Sequence, residues 1–479
     1  MKNRNIEFET LPSNKKRIYF LCGFVCVVVL LVTILIGFSK AKYRVTQSIP
    51  IIHGTINYKV PDLNLVSLYL QNEEGNYIEA DTIPASGYTL NKSQSYCGRS
   101  NNGEIIKDGS VNIIYENGAI NVNNITKKGT KCYLYFDEGG SMTVQELIVS
   151  KKIDNSRSGV ITGILTTDTT GTVYSIEDDW GTSYVYAGAP TDNWVAFAGF
   201  YWRIIRINGD GSIRMIYNGT TTDQVEAANQ IIVDGNNMFR YNQTYGDNTY
   251  VGYMMGLDNQ CVSSTNCFGT TNTTSYMQST SNIFDSNVKK VLDNWYQTSI
   301  VNQNLTEYIS IEAGFCNDRQ TMSGVETSYG TLGYGTNATG YAPAGRLYQN
   351  GSWRRNQTPT LKCSQIDNDL FTLNGSTKGN NILTYPIGLI TSDEVVLAGG
   401  FGGTANTNYY LYNGQHYWTM SPYRFYASDG GNLEFIVAND GSLISNYEQT
   451  TSGIRPVINL RADITLSGSG TSTDPYTIS

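Results

Sequence analysis

Histidine is nearly absent from this sequence, with only His53 and His416 among 479 residues. A Ser-His-Asp or Cys-His mechanism needs a histidine beside its nucleophile. His53 lies close to a hydrophobic N-terminal segment, and His416 lies among tyrosines and a tryptophan, where half-buried packing explains it more simply. The sequence also lacks the Gly-x-Ser-x-Gly, His-Glu-x-x-His and P-loop motifs. We therefore predict no catalytic residues.

Charged residues are also scarce, at 15% of the chain, and basic residues form no block or stripe in its C-terminal part. Residues 1–44 carry eight Lys or Arg and two Glu, a net charge of +6, so the total of -8 leaves -14 for the remainder. An acidic chain without a basic surface is unsuited to binding phosphate backbones. We predict no nucleic-acid partner.

No Cys-x-x-Cys pair occurs, which argues against a zinc site. Two of the eight cysteines, Cys22 and Cys26, lie in the hydrophobic segment, and an even number remains for disulfides. Six cysteines allow fifteen connectivities. Proximity within each predicted domain favours three pairs: Cys97–Cys132, Cys261–Cys267 and Cys316–Cys363.

One long hydrophobic run is present, and it contains no charge from Ile18 to Phe38. A helix of this length spans roughly 30 Å, which matches the hydrocarbon core of a bilayer. Five basic residues precede the run and three follow closely, which favours a cytoplasmic N-terminus. We predict a single-pass membrane protein with a cytoplasmic tail (1–17), an anchor (18–38) and an ectodomain outside the cell. A cleaved signal peptide is the alternative.

Turn-forming dipeptides and short alternating runs divide the ectodomain. Residues 45–136 predict a small, all-β, sandwich-like domain stapled by Cys97–Cys132, with a hairpin over Ile113–Val122. Residues 137–172 predict a linker that contains a short helix, Thr143–Lys151, whose Val144, Leu147 and Ile148 share one face.

Residues 173–479 predict a larger α+β domain. Its clearest element is a hairpin over Tyr201–Tyr217, where Asp210 fits turn chemistry better than calcium binding. Ser286 is placed to cap a helix that ends near Ile300, and Thr391 with Glu394 forms a capping box for another. Strands are predicted before and after this second helix: Tyr385–Ile390, Tyr409–Leu411, His416–Met420, Leu433–Ala438 and Ser442–Ile444.

Neighbouring carboxylates offer the only other chemistry. Asp367 and Asp369 are the candidate calcium ligands, and no other cofactor is expected. The groups Glu177-Asp178-Asp179 and Asp393-Glu394 suit glycoside hydrolysis or a cation, although solvated loops and a helix cap explain them more simply. We interpret Arg455, in an apolar strand end, as a structural residue that pairs with carbonyls or a carboxylate.

Several segments resemble bacterial surface proteins of the Firmicutes type that carry an uncharacterised domain designated DUF6273. The similar segments are Ala196–Tyr217, Gly314–Arg319, Tyr385–Gly400, Tyr417–Pro422 and Gly453–Leu460, with Thr130–Phe136 in the smaller domain. The resemblance covers about 173–479. It implies a membrane-anchored surface protein with a small domain between the anchor and the main unit.

The order of Leu389–Glu394, Gly399-Gly400, a Trp-containing strand and Gly453-Ile454-Arg455 is similar to formylglycine-generating-enzyme-like domains. That resemblance implies a C-type-lectin-like fold for the larger domain. It does not extend to chemistry, because no cysteine lies between Gly400 and Ser479 and the Glu-Pro-Asn and Gln-Pro-Asp triplets of sugar-binding lectins are missing.

These features together favour a cell-surface binding or adhesion protein that takes a glycan or protein ligand. We expect ligand contacts at Trp418, Tyr423 and Arg424. An extracytoplasmic hydrolase acting on wall glycans or peptides is the alternative, with Asp367 or Asp369 as the carboxylate. A structural component of a surface layer is the third interpretation.

Overall fold

The computed structural model describes residues 66–478, apart from internal gaps. The gaps are residues 73, 84–87, 92, 102–103, 117–118, 126, 139–141, 223–229, 233, 235–236, 257–274, 323–332, 350–351, 354–355 and 428–430. The predicted anchor Ile18–Phe38, His53 and the predicted Cys261–Cys267 pair lie outside the described residues. Within the described ranges, no helix is long and apolar enough to cross a membrane.

Contacts divide the chain into two compact units. Of the described residues, the smaller unit holds 66–67, 80–82 and 92–133, and the larger holds 68–79, 83–91 and 134–478. The chain up to the first helix is formed by strands. They are β1 (Val66–Gln71), β2 (Tyr77–Ala80), β3 (Tyr88–Leu90), β4 (Tyr96–Asn101), β5 (Glu104–Lys107), β6 (Asn112–Glu116), β7 (Ala119–Asn123), β8 (Lys131–Glu138) and β9 (Met142–Thr143).

In the smaller unit, β4 pairs antiparallel with β5 and with the start of β8. Cys97 and Cys132 face each other across this ladder, and their disulfide is one of the pairs predicted from the sequence. Both cysteines are buried, so the disulfide is shielded from solvent. The predicted hairpin is confirmed, because β6 and β7 pair antiparallel from Asn112–Asn123 to Glu116–Ala119.

The larger unit is built mostly of short strands. Its helices are α1 (Val144–Val149), α2 (Tyr276–Ser279), α3 (Asn287–Ser299), α4 (Ala342–Leu347), α5 (Ile366–Asp369) and α6 (Ser392–Leu397), with 3-10 turns at Asn248–Tyr250, Val301–Gln303 and Thr306–Tyr308. Its strands up to α3 are β10 (Lys152–Asp154), β11 (Thr172–Glu177), β12 (Thr182–Val185), β13 (Trp194–Phe197), β14 (Phe200–Ile207), β15 (Ile213–Tyr217), β16 (Phe239–Arg240), β17 (Met254–Met255) and β18 (Phe284–Asp285). Those after α3 are β19 (Phe315–Cys316), β20 (Ala338–Gly340), β21 (Tyr348–Gln349), β22 (Ser352–Trp353), β23 (Leu370–Phe371), β24 (Tyr417–Tyr426), β25 (Gly431–Val437), β26 (Leu443–Tyr447), β27 (Thr451–Ser452), β28 (Val457–Leu460), β29 (Thr465–Ser467) and β30 (Tyr476–Ile478).

The main sheet has ten strands, and the several sheets of the fold include a curled half-barrel. Its path runs β10-β11-β12-β14-β13-β30-β29-β9, while β15 joins β14 to β28. The C-terminal strand β30 lies parallel to β13 in this sheet. A second sheet has the order β20-β24-β25-β26. The architecture is therefore mixed α+β and mostly strand, as the α+β expectation for this region requires.

The predicted hairpin over Tyr201–Tyr217 forms as β14 and β15, with alternating apolar side chains that fill the core. Asp210 lies in its turn and accepts hydrogen bonds from the backbone amide and the hydroxyl of Ser212, which confirms the turn interpretation. The strands are therefore joined by a local Asx turn of the kind that the sequence predicts.

Three predicted helix starts are confirmed by their caps. Ser286 accepts from the Lys289 amide at the start of α3. Thr391 and Glu394 form both bonds of a capping box on α6, and Thr143 with Glu146 does the same on α1. Val144, Leu147 and Ile148 are buried, as the predicted shared face of α1 requires.

Two expectations for secondary structure fail. Tyr385–Ile390 forms no strand and makes only an isolated bridge from Gly388 to Val457, and Tyr409–Leu411 lies in a turn. Apolar composition alone misled the prediction, because a short buried segment without a partner strand reads like a strand. Residues 152–172 also do more than connect: β10 pairs with β11, and the buried Arg157 donates to the Leu397 and Val396 carbonyls.

Candidate functional site

The larger unit contains a cleft that is partly open to solvent. Its walls come from segments that are far apart in the sequence, and charged side chains dominate them. The charged lining consists of Asp178, Asp179, Asp210, Asp318, Asp393, Glu394, Arg206, Arg214, Arg346 and Lys362. Six acids against four bases leave a net charge of -2 (4 - 6) on the walls.

Asp178 shapes the turn between β11 and β12 at one wall. Its carboxylate accepts hydrogen bonds from the Trp180 amide, the Ser183 hydroxyl and the Gly209 amide. It also lies 3.1 Å from Nη1 of Arg206. These contacts fix the turn at Asp178 and thereby position the next two residues, Asp179 and Trp180, in the lining.

The Arg206, Arg214 and Glu394 side chains form a buried ion cluster in the lining. Glu394 Oε1 lies 3.0 Å from Nε of Arg206 and 2.6 Å from Nε of Arg214. Burial opposes ionisation of Glu394, but the two guanidinium groups outweigh it and hold its pKa below the ordinary value. The same carboxylate accepts from the Thr391 amide, so the helix cap and the ion cluster share one residue.

Arg346 forms a second cluster on another wall. Its Nε lies 2.8 Å from Asp393, and its Nη2 lies 2.7 Å from Asp318. Asp318 has a left-handed backbone, with φ 53°, a conformation that aspartate tolerates better than most residues. Burial raises the pKa of Asp318 although Arg346 and the Ser364 hydroxyl act in the opposite direction.

Asp179 and Trp180 differ from these clusters. Asp179 accepts one hydrogen bond, 2.8 Å from the Cys363 amide, and no lysine or arginine pairs with it in the described part of the chain. Partial burial raises the pKa of its carboxyl. Beside it, the half-exposed ring of Trp180 lies 4.5 Å from the Lys378 ammonium, which itself pairs with Asp210.

The predicted pair Cys316–Cys363 forms in the wall of this cleft. The bond ties β19 to the segment whose Cys363 amide binds Asp179. A covalent tie close to an acceptor carboxylate limits how far the two walls can separate. Disulfides of this kind persist outside the cytoplasm, so both observed bonds suggest an extracytoplasmic domain.

The residues predicted as ligand contacts lie elsewhere, on β24. Trp418 is fully buried, and its indole nitrogen donates to the Phe239 carbonyl. Tyr423 is 6% exposed and packs edge-on against Phe435. Arg424 is half-buried, with its guanidinium 5.5 Å from the centre of the Tyr423 ring. These three residues are not part of the cleft lining, to which β24 contributes only Ser421 among the described residues.

The two predicted calcium ligands, Asp367 and Asp369, lie in different surroundings. Asp369 is buried and binds Arg319, with Oδ1 2.9 Å from Nε, while Asp367 is exposed. The i, i+2 spacing on α5 turns the two carboxylates in different directions. Among the residues that the structure describes, no group of three His, Cys, Asp or Glu side chains is placed to hold a metal ion.

Two further interpretations can be compared with the structure. Arg455 is fully buried and donates to the Tyr217 and Leu411 carbonyls, which confirms its structural role. His416 is half-buried at the start of β24, as expected from its neighbours. The notable cleft residues that sequence reasoning missed are Arg206, Arg346 and Trp180. Only the adjacent acids 177–179 and 393–394 signalled the site.

Comparison with known proteins gives no match: no family model, no curated protein and no solved structure is similar to this chain.

Proposed function

We propose that the chain is a cell-surface binding protein and that the cleft is its ligand site. One observation carries the proposal: Asp179 is a partly buried carboxylate that forms no salt bridge within the described part of the chain, and it lies next to the half-exposed indole of Trp180 in the lining. The other cleft carboxylates are occupied by arginine, lysine or turn contacts. Asp179 therefore offers the acceptor that is least satisfied by the protein itself.

The chemistry of this pair favours a saccharide. A carboxylate accepts hydrogen bonds from hydroxyl groups, and an indole packs against the apolar face of a sugar ring. The net negative charge of the walls disfavours anionic ligands. The ion clusters around Arg206 and Arg346 supply the rigid frame that keeps the acceptor and the ring in place.

The test is binding of the full-length protein to a glycan array and to purified cell walls. We expect Trp180→Ala to weaken the best interaction roughly 30-fold, and Asp179→Asn to weaken it about tenfold. Glu177→Gln is the matched control, because Glu177 is exposed in the same turn and does not line the cleft. Equal binding by all three variants, or binding by none including the wild type, contradicts the proposal.

A hydrolase is the second candidate, and one observation favours it. Asp179 and Asp318 line the same cleft, and burial raises the pKa of each. Two carboxyl groups of this kind can serve as acid and base in glycoside hydrolysis. Turnover of cell-wall glycan that is abolished by Asp179→Asn and by Asp318→Asn, with the fold retained, identifies an enzyme. Asp367 and Asp369, outside the cleft, are no longer the residues to test first.

The finer architecture is also our proposal: an anchor at Ile18–Phe38 followed by a sandwich-like domain and a C-type-lectin-like domain of the DUF6273 type. Support comes from the order of α6, Gly399-Gly400, the Trp418 strand and Arg455 along the chain. Protease treatment of intact cells tests the topology, because the domain outside the membrane should be digested. Self-assembly of the purified protein without any ligand would instead favour a surface-layer component.

A further inference from the structure

Two glutamates are buried side by side in the second sheet, and neither lines the cleft. Glu434 lies in the middle of β25, and Glu448 follows the last residue of β26. Both are 0% exposed. They are close neighbours, because Glu434 pairs with Asn446 across the ladder and each carboxyl group approaches the other and the Gly252 amide.

Among the residues that the structure describes, no lysine or arginine lies in direct contact with this pair. In the part of the chain that the structure describes, neither glutamate forms a salt bridge. The closest guanidinium that influences Glu434 belongs to Arg319, which is already bound to Asp369 and to the Met254 carbonyl. Asn432 donates to Glu448 Oε2 at 3.1 Å. The amide group orients that carboxylate without neutralising it.

Several buried oxygens in this region have no hydrogen-bond partner. They include both carboxyl oxygens of Glu434 and Oε1 of Glu448. The Tyr241 hydroxyl is a further, independent case: Tyr241 is 0% exposed, its hydroxyl has no partner, and both glutamates act on it electrostatically.

Physical chemistry leaves few ways to bury such a group. Two adjacent carboxylates without a counter-ion repel each other, and burial removes the hydration of each. A single shared proton would neutralise one charge and satisfy at most two of the oxygens. A divalent cation neutralises both charges and takes further neutral oxygens as ligands. The donors here are all oxygen, with no histidine or cysteine, and hard cations prefer that set.

We propose that Glu434 and Glu448 bind a hard divalent cation of the calcium class, which locks β25 to the segment after β26. Ca²⁺ accepts six to eight oxygens in irregular geometry and tolerates neutral donors beside carboxylates. The site is separate from the cleft and from Asp367 and Asp369. The bound ion is expected to stabilise the fold, and it has no role in the chemistry of the cleft.

The experiment uses the purified full-length chain, stripped of metal with a chelator and then titrated with Ca²⁺. Bound metal is counted by mass spectrometry, and Tm is measured at each concentration. Because the ion binds only the folded state, we expect Tm to rise by roughly 3 °C once Ca²⁺ exceeds its Kd by about 100-fold. Glu434→Gln and Glu448→Gln should bind no ion and show no shift. Asp367→Asn is the matched acidic control and should behave like the wild type.

Each other result counts against the site. A wild-type protein that retains no metal, and whose Tm ignores both chelator and Ca²⁺, holds a protonated pair instead. A shift that is lost equally in Asp367→Asn places the ion elsewhere. If either glutamine variant does not fold, the metal count and Tm of the wild type still decide the question. Glycan binding by the cleft is measured separately, so its failure leaves this result unaffected.

Discussion

Glu394 and Glu434 are both fully buried glutamates of the larger unit, yet their surroundings are opposite. Glu394 lies between Arg206 and Arg214, which lower its pKa although burial acts to raise it. Glu434 lies beside Glu448, and burial together with this second carboxyl raises its pKa well above the ordinary value. Burial alone therefore does not decide the charge of a carboxyl group; the partner does.

The contrast also separates two kinds of stabilisation. The Glu394 cluster is complete within the protein and holds the end of a helix and two strands together. The Glu434–Glu448 pair is incomplete and requires a proton or an ion from solution. One cluster should therefore be insensitive to solution conditions near neutral pH, and the other should respond to them.

The largest expected effect is that of Glu394→Gln. The substitution leaves the buried Arg214 without its countercharge and Arg206 with Asp178 alone, so the free energy of unfolding should fall by about 3–5 kcal/mol. Denaturant unfolding of the variant and wild type measures the difference. Glu177→Gln, at an exposed position, should change it by less than about 0.5 kcal/mol. A loss below about 1 kcal/mol for Glu394→Gln would mean that solvent reaches the cluster.

The second effect is a pH dependence of opposite sign for the two regions, measured in chelator. Burial raises the pKa of Glu448 to about 8, so the folded protein favours the protonated form of the pair. This contribution to stability is complete at pH values below about 4.3, the ordinary pKa of a glutamate in the unfolded chain. That contribution is lost as pH rises towards 8. Glu394 has a lowered pKa, so its contribution is present above about 4.3 and is lost on acidification. Unfolding curves of wild type and Glu434→Gln/Glu448→Gln should converge or cross between pH 5 and about 8; parallel curves contradict the assignment.

A smaller effect is expected for Glu434→Gln alone in metal-free buffer at pH 6. An amide resembles a protonated carboxyl in shape and hydrogen-bonding capacity. The free energy of unfolding should therefore stay within about 1 kcal/mol of the wild type. Chemical denaturation checks this, and a loss as large as that of Glu394→Gln would show that Glu434 is ionised and compensated in the fold.

The smallest effect is expected at the surface, where Arg461 pairs with Asp463 and both side chains are exposed. Solvent and salt screen such a pair, so Asp463→Asn should leave Tm unchanged within error at 0.15 M and at 1 M salt. A measurable loss that disappears at high salt would mean that exposed ion pairs contribute here, which would weaken the contrast drawn between paired and unpaired buried acids.

Local features of the fold were largely predictable from the sequence. The caps at Ser286 and Thr391, the hairpin β14–β15 and the face of α1 follow from short-range rules, and all are present. The Cys97–Cys132 and Cys316–Cys363 pairs followed from proximity in the chain. Tyr385–Ile390 failed because a strand needs a partner, and no partner can be read from the segment itself.

The candidate site was hardly predictable. Glu394 was recognised as a cap residue, but Arg206, which binds it, lies 188 residues earlier. Trp418 was expected to contact a ligand, but it is fully buried in the core. Nothing in the local sequence distinguishes an indole in a cleft, such as that of Trp180, from one in the interior. The sequence gives the charge or aromatic ring of each side chain, but it does not show which side chains become neighbours in the fold.

The sequence by itself determined the uncharged run Ile18–Phe38, the acidic character of the remainder, and the local helix and hairpin signals, and it favoured the Cys97–Cys132 and Cys316–Cys363 pairs that the structure contains. These depend on composition, periodicity and short spacing. Tertiary structure alone decided which carboxylate meets an arginine, which meets a second carboxylate, and which is left open beside Trp180. The physical reason is that the energy of a buried charge depends on neighbours brought together over hundreds of residues, and no local pattern encodes them.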